Sequence, residues 1–233
     1  MRITAVWERA DASADSSDIR RCLPPASHMG IVYMVKRIVY QFKITLGGIE
    51  PPIWRRIQVP EAYSFWDLHV AIQDSMGWLD SHLHAFRFGK ARSKTRLEIG
   101  IPLDEGFETE RTVPGWKVPI VEHFGVIGTT CEYEYDFGDG WVHEVSLEGR
   151  LLRESGRRYP RCLEGARACP PEDCGGVPGY YRLLEIMSDP SDEEYEDMVT
   201  WIGDRYHSES FDPEEVKFDN PKRRLKNAFT DRR

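Results

Sequence analysis

A chain of 233 residues with 40% hydrophobic and 30% charged side chains can bury a core, which excludes wholesale disorder. Its formal charge of 31 − 39 = −8 argues against a polyanion-binding surface covering the whole molecule, and no apolar run approaches the roughly 18–20 residues that span a bilayer. Five cysteines, an odd number behind no secretory signal, exclude a disulfide scaffold and point to reduced thiols in the cytoplasm.

Residues 1–35 read as a flexible leader outside the fold. Ala10–Ser17 is small and polar, Pro24-Pro25 follows, and no hydrophobic period is sustained. Order starts near Ile38, so residues 36–229 are expected to form a single domain, with 230–233 a basic end. Ile38, Tyr40, Phe42, Ile44 and Leu46 alternate with Val39, Gln41, Lys43 and Thr45, the period of a half-buried strand. Gly47–Pro52 turns the chain, and Ile53–Val59 returns as an antiparallel partner. Arg55 falls on the apolar face of that strand, where it is expected at the edge or beside a carboxylate.

Ser64 with Asp67 forms a capping-box variant ahead of Phe65, Leu68, Ile72 and Met76 at helical spacing, and Gly77 ends the helix. His82–Phe88 reads as a strand. Residues 89–118 read as a long loop, first basic and then acidic. Cys131–Phe137 alternates sharply, Gly138-Asp139-Gly140 signals a hairpin turn, and Trp141–Leu147 is the returning strand. After Gly156 the pattern turns helical, with a Cys/Pro/Gly-rich segment at 159–179 ahead of helices at Tyr180–Met187 and Asp192–Ile202. Asp212-Pro213 opens a last short helix, and the tail from 221 is basic. The order of elements predicts an α+β domain: a largely antiparallel sheet, helices packed on it, and a helical C-terminal part.

Five stretches carry a resemblance: Tyr40–Val59, Ser64–Phe88 with its SHLHAFRF end, YEYDFGDGWVHEV at 133–145, YPRCLEGARACPPEDCGG at 159–176, and FDPEEV at 211–216. In this order they resemble the plasmid pRiA4b ORF-3-like family over about residues 38–229. The resemblance implies no established biochemical activity. It does imply a plasmid-associated context, and with it a nucleic-acid-associated protein of mobile elements as one alternative. In the family pattern the position of Cys174 is often not cysteine.

Two groups of residues have metal-ligating chemistry. Cys162, Cys169 and Cys174 lie within thirteen residues of a turn-rich loop, and thiolates are good zinc ligands. A fourth ligand would come from His82, His84, Cys131 or His143. The other group is His82 and His84 on one strand face, Asp136 and Asp139 around the hairpin turn, and His143 on the returning strand. Together they would suit a hydrolytic metal with an open water position. Packing and turn roles are the competing explanation for each. Glu172 and Asp173 are expected as helix caps or as partners of Arg55, Arg56 or Arg161. Lys90–Arg96 and Lys222–Arg233 are the stretches suited to phosphate, and the tryptophans could stack bases only if exposed. The leading reading is a cytoplasmic, non-enzymatic binding or accessory module with a protein or nucleic-acid partner. A metal-dependent hydrolase built on the His/Asp group is the other alternative.

Overall fold

Alternating burial builds the sheet outward from its first strand. The computed structural model describes residues 37–89, 96–102, 112–203 and 206–230. The leader 1–35, most of the basic stretch Lys90–Arg96, the acidic run 104–110 and the end 231–233 lie outside them. In β1 (Ile38–Leu46) Tyr40, Phe42, Ile44 and Leu46 are buried, while Gln41, Lys43 and Thr45 are only half-buried. Strand β1 pairs antiparallel with β2 (Trp54–Pro60) on one side and with β7 (Trp141–Leu152) on the other. Beyond β7 follow β6 (Thr130–Tyr135), β3 (His84–Phe88), β4 (Leu97–Gly100) and β5 (Val113–Pro114); beyond β2 lies β8 (Arg161–Ala166). The sheet order is β5-β4-β3-β6-β7-β1-β2-β8, antiparallel throughout except for the short β4–β5 pair.

Helix α1 (Phe65–Met76) starts and stops as its sequence dictates. Ser64 and Asp67 form a reciprocal capping box, and Gly77 closes the helix at φ 91. Phe65, Leu68, Ile72 and Met76 enter the same core as Tyr40, Phe42, Phe86, Tyr133 and Val145. The other sheet face is charged. Arg56 meets Glu148 at 2.6 Å and also Glu164, and Arg87 meets Glu98 at 2.7 Å and also Glu134. These half-buried pairs return much of their attraction as desolvation, so apolar burial on the α1 face carries most of the stability.

The described residues form a mixed α/β fold with a large, mostly antiparallel sheet and four helices, and the C-terminal part is helical only in pieces. Helices α2 (Gly176–Ser188), α3 (Tyr195–Ile202) and α4 (Pro221–Thr230) alternate with irregular chain. Tyr180, Leu183 and Ile186 of α2 are buried, whereas α3 has no buried residue. Four expectations need correction. The region after Gly156 begins with β8, an edge strand whose half-exposed residues show no alternation. The loop expected at 89–118 contains β4 and β5, which are too short to register a period. Asp212-Pro213 opens a single 3-10 turn, while the basic tail from Pro221 is a helix. Arg55 sits neither at an edge nor, among the described residues, beside a carboxylate: it is 1% exposed and donates to three backbone carbonyls. No helix among the described residues is long and apolar enough to cross a membrane.

Candidate metal centre

Strand β3 begins at His84, so His82 precedes the ladder and its side chain is free to leave the sheet plane. The alternation along β6 likewise stops at Asp136, whose backbone turns left-handed at φ 55. That twist throws Phe137 to the surface, where it is 46% exposed, rather than continuing the buried face of Tyr133 and Tyr135. Asp136 N donates to Leu83 O at 2.9 Å, which locks the end of β6 against the entry to β3. Asp136 Oδ1 accepts from Gly138 N at 2.9 Å, leaving Oδ2 to face His82.

The third component arrives from the Cys/Pro/Gly-rich segment. Trp78 Nε1 donates to Pro170 O, and Glu172 accepts from Tyr135 Oη and Leu79 N. Gly175 N donates to Asp139 Oδ2 at 3.1 Å, and Gly176 presses so close that an added Cβ would stand 2.4 Å from Asp139 O. These ties hold Asp173, at φ 58, against His82. His82 Nε2 lies 3.1 Å from Asp173 Oδ1 and 3.6 Å from Asp136 Oδ2, yet this buried nitrogen makes no hydrogen bond with the described residues. Ligands held at about 2.1 Å from a tetrahedral ion are spaced about 3.4 Å apart; the two measured separations straddle that value. The donor set of one imidazole and two carboxylates suits Zn²⁺ or Mn²⁺ better than an all-oxygen ion such as Ca²⁺.

The site opens on a cleft of about 720 Å³. Trp66 and Ile101 supply apolar wall, Phe137 and Leu79 form an apolar rim, and Asp80 and Arg224 add charge. Asp80, also left-handed at φ 63, accepts from His69 Nε2 at 2.8 Å. Three of the four described non-glycine residues at positive φ are therefore Asp80, Asp136 and Asp173, all in this neighbourhood. Asp tolerates that conformation better than most residues, but each instance still carries a backbone cost that its surroundings must hold.

Among the described residues, His82, Asp136 and Asp173 are the one set of three His, Cys, Asp or Glu donors within 4.8 Å of one another. The structure thus brings together two of the five residues expected in the His/Asp group and separates the rest. His84 is buried with its ring stacked 3.4 Å from that of His69, and His143 is buried edge-on to Trp78. Burial holds the pKa of His84 well below the ordinary imidazole value and that of His143 down to about 4. Asp139 serves the α2 entry instead. The cysteines are spread along the segment: Cys162 in β8, Cys169 buried beyond it, and Cys174 just ahead of α2. Burial raises all three thiols, Cys162 to about 11 and Cys174 to about 12. Asp173 completes this set, although the sequence suggests only a cap or an arginine partner for it; Asp80 carries no motif, and Arg224 belongs to the basic tail. Glu172 caps no helix and meets Tyr135 rather than an arginine. Arg223 and Arg224 in the basic tail are paired with Asp219 and Asp74. Trp66, Trp78 and Trp141 are buried, so they are unavailable as base platforms.

The family described as plasmid pRiA4b ORF-3-like protein matches residues 38–216. The uncharacterized protein y4hQ of Sinorhizobium fredii (strain NBRC 101917 / NGR234) is 33% identical over 166 residues, 71% of this chain and 81% of that protein. The crystal structure of a protein of unknown function, MM3350 from Methanosarcina mazei Go1, superposes with a TM-score of 0.70 at 44% identity. It covers 78% of this chain and 99% of its own.

Proposed function

The chain belongs to the plasmid pRiA4b ORF-3-like family, and we propose that its domain is a cation-dependent binding module. His82, Asp136 and Asp173 hold one divalent ion of the Zn²⁺ or Mn²⁺ class at the mouth of the cleft. The observation that carries this reading is the convergence itself. Three separate stretches, 81–88, 133–145 and 159–176, each deliver one ligand to one point, and the receiving imidazole nitrogen has no other partner among the described residues. Three protein ligands leave coordination positions open to a ligand or a water. The apolar rim of Leu79 and Phe137 would then favour a ligand with a metal-binding head and an apolar body. Its free thiols fit a reducing, cytoplasmic setting.

Titrating chelator-treated full-length protein with ZnCl₂ and MnCl₂ by calorimetry tests the reading. One equivalent should bind at least one of the two ions. His82→Ala should weaken binding at least tenfold, and so should Asp136→Asn, which keeps an oxygen acceptor for Gly138 N. Cys162→Ser and Cys169→Ser should bind as wild type does. An isotherm unchanged by His82→Ala would overturn the proposal, and loss of the metal with the cysteines would place it on the thiols instead.

A further inference from the structure

Arg55 is a charge in the core with no counter-charge among the described residues. Its Nε donates to Ser75 O at 2.8 Å, and its Nη1 donates to Trp54 O at 2.8 Å and to Ala166 O at 3.0 Å. These bonds staple β2 to β8 and to the Ser75 carbonyl in the last turn of α1, where the helix end favours a cation. Phe211 covers one face of the guanidinium, 3.7 Å from ring centroid to Cζ. It reaches that position because residue 165 is glycine: an added Cβ would stand 2.4 Å from the Phe211 ring. The staple uses three of the five guanidinium N–H groups. The two on Nη2 have no acceptor among the described residues, and no carboxylate there pairs with Arg55. Arg55 is 1% exposed, and Nη2 is not among the buried polar atoms without a partner, so its free N–H groups face the cleft rather than a dry interior.

Arg55 lines a second cleft, of about 980 Å³, distinct in its residues from the one at His82. Met76, Trp78, Phe211 and Val216 give it apolar wall, and Lys217 and His207 add polar groups. Its acidic lining residues are Asp74, Glu209, Asp212 and Glu215. Three of these are engaged: Asp74 by Arg224, Glu209 by Arg167, and Asp212 as the cap of the following turn. They still repel a multiply charged anion.

We propose that this cleft binds a small monocarboxylate with an apolar body, one carboxylate oxygen accepting from Arg55 Nη2 and the body lying against Met76, Trp78 and Val216. A single negative charge supplies the missing counter-ion, while a phosphate would add charge that the acidic lining opposes. Benzoate is a suitable probe, with benzyl alcohol and inorganic phosphate as controls. Titration of the full chain, followed by NMR, should give saturable benzoate binding with shifts at Arg55 Nε and Phe211, and none with benzyl alcohol. Val216→Glu, on a half-exposed loop, should weaken it at least tenfold by placing a carboxylate beside the ligand. Arg55→Gln should abolish it if the protein still folds, and the Val216→Glu result stands independently of that outcome. His82→Ala should leave benzoate affinity unchanged, which separates this site from the metal centre. Absence of saturable binding, equal binding of benzyl alcohol, stronger binding of phosphate, or indifference to Val216→Glu would each overturn the proposal.

Discussion

His82 and His84 stand two residues apart and have opposite fates. His84 is 2% exposed, stacked on His69 and packed near Tyr133, within a layer of buried imidazoles that His143 completes on the far side of the tyrosine. His82 stands outside the ladder with two carboxylates at its Nε2. The difference lies in where β3 begins. A residue inside the strand takes the core face that the pleat assigns it, and a residue just before the strand goes where its loop is held. Packing therefore places the buried rings, and the loops at the cleft place its donors.

That contrast breaks first on stability. His143→Ala removes a ring lodged against Trp78 and Tyr133 and should cost about 3–4 kcal/mol in urea unfolding. His82→Ala should cost less than about 1 kcal/mol. Acid should separate the two regions as well. With its folded pKa near 4 against an ordinary 6.5, His143 stays neutral in the native state while the unfolded chain takes up its proton. Its contribution is therefore full above pH 6.5 and is lost as pH falls towards 4, on the order of 3 kcal/mol. His84 acts in the same direction. Unfolding measured across that window should show this slope, and His143→Gln should flatten it; an unchanged slope would mean that the imidazole is not neutral in the core. Tyr133→Phe is milder. It strands His69 Nδ1 and Gln73 Nε2, both bonded to the hydroxyl within 2.9 Å, at a cost of about 1–3 kcal/mol. Metal affinity in that variant should stay within twofold of wild type, because none of the three proposed ligands bonds Tyr133 Oη.

Much of this was legible in the sequence where one face of an element is buried. The β1 alternation, the Ser64–Asp67 capping box, the Gly77 stop and the hairpin around Gly138 all appear as the residues imply. Short or edge elements left no period to read, which is why β4, β5 and β8 were missed. The site was half legible. His82 and Asp136 stand out as ligand types near strand ends, but Asp173 reaches them only through ties made by Trp78, Glu172 and Asp139 to residues far away in the chain. Spacing cannot encode such contacts. Arg55 failed for a related reason: its partners are backbone carbonyls, which no side-chain pattern announces.

Anomalous diffraction from crystals of the full chain grown with ZnCl₂ or MnCl₂ would test the cation centre most directly. The account predicts one strong peak at the metal edge, about 2.0–2.2 Å from His82 Nε2 and from a carboxylate oxygen of Asp136 and of Asp173, absent in His82→Ala crystals. A peak among Cys162, Cys169 and Cys174 instead, or no peak at His82 at saturating metal, would contradict it.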